Sequence, residues 1–395
     1  MHPDTGLATP DASAAPPEAP AAAQAPSLRF TATGRAYFRI WIVNLLRTVL
    51  TLGLYLPFAR ARQLRHFHEH TLVDGTPLSF DGDPWKMLRG HLIVGAVVAG
   101  YLIGSEFAPM LALAVALAGT AAWPWLMCSA LRFRLGHVRW RGRPLGFSGT
   151  VAEAYRVFLP MIVPMAVLLG LTPLLASSPE LAEDAAAPQG PSAWLIGAVL
   201  LCTLAVYLAG PWTLLRMLRY RHGHFTFAGE RTRLEGVRLR DLYTMGFKSM
   251  LVLMVLGLAL GAAGIAATMV LPPLALVAGP LGYMAIVTAM MAYSTSRMQN
   301  LAWSHTRSQH LRFDSQLSAT ALWMLLMKNT LLTVLTLGLY WPFAAVAVAR
   351  LRLESVTIRS SLPLEQLAGA PAGPEQPAGT IGDAAGELLG LDVAL

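Results

Sequence analysis

Six stretches of about 20 apolar residues constrain this chain more than any other feature, because each can cross about 30 Å of hydrocarbon. They lie at residues 87–104, 107–131, 157–176, 193–215, 249–270 and 272–293. One such stretch is also compatible with a buried core helix, but six without amphipathic partners would leave no water-facing surface. Only 13% of the residues are charged, about half the share in soluble domains. The sequence therefore predicts an all-α polytopic membrane protein with six transmembrane helices.

The charges between these stretches predict the orientation of the chain. Four loops carry clustered basic residues, at 59–90, 132–156, 216–248 and 294–318. The turn near Glu106, the acidic loop 177–192 and the turn at Pro272–Pro273 carry none. Because Lys and Arg close to a span stay in the cytoplasm, we expect three helical hairpins with cytoplasmic basic loops. The net charge of +8 is then a topology signal, and no nucleic-acid partner is predicted.

The charge rule gives no orientation for two weaker apolar segments, 36–58 and 319–343. The first has basic residues on both sides, and the second contains Lys328 and precedes Arg350 and Arg352. A single crossing cannot place both basic flanks in the cytoplasm, so each segment is re-entrant or in-plane, or has one flank outside. The ends of the chain, 1–28 and 359–395, are rich in Ala and Pro, and the second is acidic. We expect disordered tails there, flanking a membrane domain at 29–358.

The two weaker segments are copies of each other. Residues 44–59 read NLLRTVLTLGLYLPFA and residues 329–344 read NTLLTVLTLGLYWPFA, with 13 of 16 positions identical. A second repeat links Gly75–Gly82 with Gly142–Gly149, and a weaker copy ends at Phe227-Ala-Gly229. Asp74-Gly75 followed by alternating residues is typical of a short β-hairpin, and the aromatic residue before the last glycine would anchor at the membrane interface.

These repeated elements resemble the YjgN-like family of bacterial inner-membrane proteins, a domain family of unknown function. The resemblance rests on TLGLYxPFAxxR at Thr51–Arg62, its echo at Thr336–Phe343, and DGTPLSFDG at Asp74–Gly82. It extends over roughly residues 28–358, although Ala347 replaces the arginine found at Arg62. The resemblance implies a multipass protein of the bacterial inner membrane. It implies no substrate, cofactor or catalytic residue.

The repeated segments supply the first candidate site, a polar stripe along one helical face. The stripe residues and their basic neighbours are Asn44, Arg47, Thr48, Thr51, Lys328, Asn329, Thr333 and Thr336. In lipid such a face turns toward protein or a water-filled cavity. It therefore predicts either hydrogen bonds between helices or a transport pathway between two related segments.

The second candidate is the break in each repeated segment. The residues that break or anchor the helix are Gly53, Tyr55, Pro57, Gly338, Tyr340 and Pro342. Proline removes a backbone donor and clashes with the preceding turn. A discontinuous helix would expose carbonyls to a cation or water, whereas a plain helix end would place Tyr55 and Tyr340 in an interfacial aromatic belt.

Arginines and histidines of the basic loops are the remaining candidates. Guanidinium groups suit phosphate, and possible contacts with anionic phospholipid headgroups are Arg60, Arg62, Arg65, Arg139, Arg141 and Arg143. On a strand, His66, His68 and His70 would share one face and could converge on a metal, but on a helix they would not. The spacing lacks a zinc signature, so neither a metal nor a cofactor is predicted.

Three functions remain open at this point. The repeated polar segments favour a transporter- or channel-like module, and the basic loops favour a membrane scaffold or anionic-lipid-interacting protein. A membrane enzyme acting on lipid is the third, and the motifs GxxxxGK[ST], HExxH and GxSxG are absent from the sequence. Carboxylates are also missing from the middle of the spans, which counts against proton-coupled transport.

Overall fold

A computed structural model describes residues 26–176, 192–270, 273 and 275–369. These residues form five helical hairpins in chain order. Hairpin 1 is α1 (Gly34–Leu50) and α2 (Leu56–Glu69), and hairpin 2 is α3 (Pro84–Phe107) and α4 (Pro109–Gly136). Hairpin 3 is α5 (Val151–Ala176) and α6 (Ala193–Gly223), and hairpin 4 is α7 (Leu239–Val270) and α8 (Ala275–Ser304). Hairpin 5 is α9 (Ala319–Leu335) and α10 (Trp341–Glu354).

Hairpins 2, 3 and 4 are the three predicted transmembrane hairpins. Their six helices are each long and apolar enough to cross a membrane, which confirms the predicted fold class. Asp83 caps α3 by accepting a hydrogen bond from the Trp85 backbone N–H at 2.9 Å, and Pro84 occupies the first helical turn, where its missing N–H costs nothing. The acidic loop predicted at 177–192 lies outside the described residues apart from Ser192, and Pro272 lies outside them too.

Hairpins 1 and 5 answer the question left by the two weaker apolar segments. Each segment is a helix, a tight turn and the start of a second helix that runs back. The two helices before the turns have 17 residues, about 25 Å at 1.5 Å per residue, which is less than a full crossing. Both flanks of each segment therefore return to the same side. Neither segment is therefore a single crossing with its basic flanks on opposite sides. Whether these hairpins are re-entrant or in-plane stays a prediction.

Short strands connect the hairpins and form three antiparallel sheets, which together we call the strand layer. The first sheet has the order β1 (Leu28–Phe30), β2 (Thr71–Val73), β3 (Thr76–Phe80), β4 (Val138–Trp140) and β5 (Arg143–Pro144). The second contains β6 (Gly146–Phe147), β7 (Phe225–Phe227) and β8 (Glu230–Arg231). The third has the order β12 (Val356–Ser360), β11 (Leu311–Ser315), β10 (Thr306–Arg307) and β9 (Arg233–Leu234). The predicted β-hairpins are present, with positive φ at Asp74-Gly75, Arg141-Gly142 and Ala228-Gly229.

The same backbone hydrogen bond closes the base of every hairpin. A residue three or four positions before each first helix donates its N–H to the carbonyl of the residue that follows the second helix, at 2.9–3.0 Å. The pairs are Thr31–His70, Asp81–His137, Ser148–His224, Glu235–His305 and Gln316–Ser355. Each bond continues an antiparallel strand pair. The five hairpins therefore have the same base geometry although their lengths differ.

The Phe-x-Gly elements are part of the core, and their prediction as interfacial anchors is wrong. Phe80 and Phe147 are buried, and a Cβ atom on Gly82 or Gly149 would lie 2.4 or 2.6 Å from the preceding Phe ring. Glycine is needed because the ring folds over the backbone two residues later. The weaker copy at Phe227 was misaligned, since Phe227 is followed by the Ala228-Gly229 turn rather than by a helix.

The five hairpins close into a ring. Each second helix packs against the first helix of the next hairpin, and α10 packs against α1. Hairpins 2 to 5 also donate a side-chain hydrogen bond to a backbone carbonyl of the next hairpin's base, at 2.7–3.1 Å. These bonds are Arg132 to Gly149, Arg219 to Val237, Asn300 to Leu317 and Arg350 to Ala32. The last of them joins the two ends of the membrane domain.

A central apolar cluster fills the strand layer. It joins Phe80, Trp140 and Phe227 to side chains of β11 and β12, and Leu364 and Leu367 of α11 (Leu364–Gly369) complete it. The prediction of disorder is therefore wrong at residues 359–369, which form the end of β12 and α11, with Leu364 and Leu367 buried. Leu28 lies in β1 rather than in a tail. The remaining residues of both predicted tails lie outside the described chain, apart from Pro26 and Ser27.

Glu230 ties the second sheet to the third, and this tie should depend on pH. Its carboxylate accepts hydrogen bonds from the Ser308 hydroxyl and the His310 backbone N–H and pairs with the His310 ring. Burial opposes ionisation, but these donors outweigh it and lower the pKa of Glu230 from its ordinary value of 4.5. A lowered carboxyl pKa contributes stability that is present above the unfolded pKa and is lost as pH falls through the folded pKa.

We therefore expect Glu230→Gln to lower the melting temperature at pH 7 and to matter progressively less below pH 4.5. Thermal unfolding in mild detergent between pH 3 and pH 7 measures this. Glu106→Gln, at the exposed turn between α3 and α4, is the matched control. A deficit of the Glu230 variant that stays constant down to pH 3 would show that the carboxylate charge contributes nothing.

Candidate functional site

The side chains of the two polar stripes form hydrogen bonds largely within their own hairpins. Asn44 is buried, and its Nδ2 donates to the Ala59 carbonyl of the partner helix at 3.5 Å. Asn329 is buried at the matching place, with both amide atoms unbonded among the described residues. Thr51 and Thr336 accept from the backbone N–H of Tyr55 and Tyr340 at 3.0 Å. Neither stripe lines the cavities described below, and the transport pathway stays a prediction.

The helix breaks are turns between antiparallel helices. Gly53 and Gly338 have φ near +90°, a region open to glycine at little cost, and donate to the carbonyls of Thr48 and Thr333 at 2.8 and 2.7 Å. Pro57 and Pro342 lie in the first turn of the second helix. The carbonyls of Thr48 and Thr333 are thus already bonded, which argues against a cation site there.

The turn tips are strongly exposed and apolar. Leu52 and Leu337 are 95% and 94% exposed, and Leu50 is 82% exposed. Exposed leucines at the far end of a hairpin are expected in hydrocarbon and costly in water. Lys328 and Arg47 are exposed partway along the same hairpins, and Arg47 Nη1 donates to the Tyr55 hydroxyl at 2.9 Å.

The three histidines of the first basic loop do not all share one face, because the rings of His66 and His70 lie 4.3 Å apart whereas His68 lines a different cavity. His66, His68 and His70 belong to α2 or its cap, and the Nδ1 atoms of His68 and His70 lie 2.9 and 2.7 Å from carbonyls four residues earlier. The described residues contain no cluster of three metal-ligating side chains. His70, His137, His224 and His305 all contact the carbonyl four residues back, so they end helices.

The structure divides the six arginines predicted to contact headgroups into three sets. Arg139 pairs with Asp81 at 2.8 Å, Arg141 pairs with Glu365 at 3.1 Å and lies over the Trp140 ring, and Arg143 also interacts with neighbouring groups. These three support the strand layer. Arg60 lines an internal cavity between hairpins 1, 2 and 5. Arg62 and Arg65 line an open pocket instead.

This open pocket, which we call the hairpin 1 pocket, is the candidate functional site. It has a volume of about 380 Å³ and lies between α1 and α2, lined by Arg39, Ile40, Val43, Arg62, Arg65, His66 and Glu69. The three arginines are exposed. Burial, followed by the charge of His70, lowers the pKa of His66, so His66 is neutral near pH 7. Three guanidinium groups then face one carboxylate.

Hairpin 5 has the same backbone but lacks this pocket chemistry. At the constant offset of 285 residues, the counterparts of Arg39, Arg47 and Arg62 are Met324, Leu332 and Ala347. The counterpart of Arg65 is Arg350, which donates to the Ala32 carbonyl in the ring closure. The charges of Arg39, Arg47 and Arg62 therefore have no counterpart in hairpin 5, and the turn forms without them.

A sequence profile described as "Bacterial protein of unknown function (DUF898)" matches residues 25–388. The chain belongs to the DUF898 family. A 54-residue stretch is 41% identical to "Inner membrane protein YjgN" of Escherichia coli strain K12, and equally to its counterpart in Escherichia coli O157:H7. Each match covers 14% of this chain and 14% of the relative. No solved structure matches the chain.

These comparisons confirm the family resemblance and the inner-membrane location of this DUF898 protein. They identify no substrate, and nothing in them points to catalysis. Which side of the membrane the strand layer faces stays a prediction.

The sequence interpretation missed Arg39 as a site residue of this DUF898 protein, because it was treated as a topology flank. A signal was nevertheless present. Aligning the two related segments shows arginines in the first copy where the second has Met324 and Ala347. Differences between copies that share one fold indicate residues retained for something other than folding.

Proposed function

We propose that this protein binds the phosphate of an anionic phospholipid in the hairpin 1 pocket, in the leaflet next to the strand layer. The observation that carries the proposal is the convergence of Arg39, Arg62 and Arg65 on the open pocket between α1 and α2. This develops the lipid-interacting alternative from the sequence. It requires neither transport nor catalysis.

The pocket has the chemistry of a phosphate site. Arginine forks bind phosphate oxygens with two parallel hydrogen bonds. With His66 neutral, Arg39, Arg62 and Arg65 against Glu69 give the pocket a net charge of +2 from the lining residues. An anionic headgroup would offset the mutual repulsion of the arginines.

The surroundings of the pocket suit a lipid better than a soluble anion. Ile40 and Val43 form the apolar part of its wall, and the exposed leucines of the tip lie further along the same hairpin. Between them, Tyr55 lies against Arg47 and Arg62, whose guanidinium carbons are 5.5 and 5.8 Å from its ring centre. Tyrosine and arginine at such a boundary are typical of the headgroup region.

We expect the triple variant Arg39→Gln/Arg62→Gln/Arg65→Gln to weaken phosphatidylglycerol binding by at least about tenfold. Each basic residue near an anionic surface contributes about 1 kcal/mol, and about 1.4 kcal/mol corresponds to tenfold. Native mass spectrometry of the full chain in mild detergent, titrated with phosphatidylglycerol and phosphatidylcholine, measures this. Phosphatidylcholine binding should not change.

Lys328→Gln is the matched control, since Lys328 is an exposed cation in the hairpin 5 segment that lacks the pocket. It should retain phosphatidylglycerol binding. A loss in Lys328→Gln equal to that in the single variant Arg62→Gln, which removes the same charge, would mean that binding follows net charge and that the pocket has no role. Binding of inorganic phosphate without preference for phosphatidylglycerol would contradict the lipid assignment.

A further inference from the structure

The third sheet of the strand layer carries a line of four arginines, one on each of its four strands. Arg312 of β11 lies directly opposite Arg359 of β12 and Arg307 of β10, and Arg307 lies directly opposite Arg233 of β9. Directly opposite side chains of antiparallel strands lie on one face of the sheet, and all four arginines are exposed. Because neighbouring strands are about 4.8 Å apart, this line, which we call the arginine ladder, extends over about 14 Å.

Folding of the third sheet does not require the arginine ladder. The opposite face of the same strands supplies Leu311, Phe313 and Ile358 to the central apolar cluster, and this burial stabilises the sheet. Like charges directly opposite each other on neighbouring strands are destabilising. The ladder therefore lowers the stability of the free protein, which indicates that its charges serve a purpose other than folding.

Carboxylates offset little of the charge of the ladder. Within the described residues, no acidic side chain forms an ion pair with a ladder arginine. Asp314 lies on the same face, two residues beyond the ladder in β11. The hydrogen bond from the Ser304 hydroxyl is the main cause that lowers the pKa of Asp314, and the charge of Arg359 is a smaller one. Asp314 also accepts a hydrogen bond from Gln316, so one carboxylate with other partners faces four guanidinium groups.

The spacing of the ladder fits an acidic helix better than other anionic partners. One helical turn of about 5.4 Å is close to the strand separation of about 4.8 Å, so carboxylates at i, i+4, i+7 and i+11 of a helix lying across the strands would meet successive guanidinium groups. Side chains on one face of an extended peptide are about 6.7 Å apart, and fall out of step with the ladder. Single-stranded nucleic acid binds through aromatic stacking, whereas Asp314 and Thr357 are the other residues that the described strands place on this face.

We propose that the arginine ladder is a docking surface for an acidic helix of a protein partner, on the side of the membrane where the strand layer lies. The helix lies across the four strands, and its carboxylates accept hydrogen bonds from Arg233, Arg307, Arg312 and Arg359. Arginine binds a carboxylate with two parallel hydrogen bonds, and the bound carboxylates also relieve the repulsion between the opposed arginines. This docking surface is independent of lipid binding at the hairpin 1 pocket.

Fluorescence anisotropy of the full chain in uncharged detergent, titrated with a labelled helical peptide that has four Glu residues on one face, tests the proposal. We expect Arg307→Gln/Arg312→Gln to weaken peptide binding by at least about fivefold, because it removes the two central ion pairs. Arg35→Gln/Lys86→Gln removes the same charge from two exposed residues at helix starts and is the control. It should weaken binding by less than about twofold, since salt screens distant exposed charges.

A second measurement separates docking from a structural role. Without peptide, Arg307→Gln/Arg312→Gln should raise the melting temperature by about 1–2 °C, because it removes opposed like charges. A lower melting temperature would overturn the proposal, as would an equal loss of peptide binding in the ladder variant and the control. Equally tight binding of a peptide with the same four Glu residues spread around the helix would also overturn it. Tighter binding of a single-stranded oligonucleotide would assign the ladder to nucleic acid instead.

Discussion

Trp140→Ala should lower the free energy of unfolding by about 3–5 kcal/mol, the range for removing a large buried aromatic side chain. Trp140 is 1% exposed in the centre of the strand layer. Its Nε1 donates to the Val73 carbonyl at 3.2 Å, and its ring lies 5.4 Å from that of Phe227. One side chain thus joins the first sheet to the second, and its loss leaves a cavity at the centre of the molecule.

Denaturant titration in mild detergent measures this effect, and two variants calibrate it. Trp140→Phe keeps most of the packing but loses the hydrogen bond, and should cost about 1–2 kcal/mol. Trp194→Ala, at a tryptophan that is 62% exposed at the start of α6, should cost less than either. Equal losses at Trp140 and Trp194 would contradict a central role for Trp140.

Gly34→Leu should separate hairpins 1 and 5, where the ring of hairpins closes. It should lower the free energy of unfolding by about 3 kcal/mol, the upper end of the usual range for overpacking. A Cβ atom on Gly34 would lie 2.5 Å from the Phe343 ring and 3.2 Å from the Phe343 Cα. The Phe343 side chain could rotate away from the added leucine, but the backbone of α10 could not. The same junction holds the Arg350 bond to Ala32, which should lengthen as the two hairpins separate.

Thermal unfolding of Gly34→Leu, Gly100→Leu and Gly34→Leu/Phe343→Ala measures this prediction. Gly100 lies in α3 with no atom within 4 Å of an added Cβ, and helix propensity favours leucine there, so that variant should not be destabilised. Phe343→Ala should restore part of the stability lost by Gly34→Leu. A destabilisation that Phe343→Ala does not relieve would point to α1 itself and away from the junction.

The sequence alone determined the membrane class, the six spans and their pairing into three hairpins. These properties follow from hydropathy and charge within about 20 consecutive residues, which tertiary contacts do not alter. The turn at Asp74-Gly75 was predictable for the same local reason. The relation between segments 44–59 and 329–344 was also visible in the sequence.

Only the tertiary structure decided what these segments do. The bond from Arg350 to Ala32 joins residues 318 positions apart, and no local pattern predicts it. The same holds for the arginines, since Arg139 and Arg65 are alike in sequence context but one pairs with Asp81 and the other lines a pocket. A guanidinium group takes its role from the groups that folding brings to it. The apolar stretches therefore specify where the chain crosses the membrane. The packing of the five hairpins into a ring specifies which arginines remain available to bind an anion.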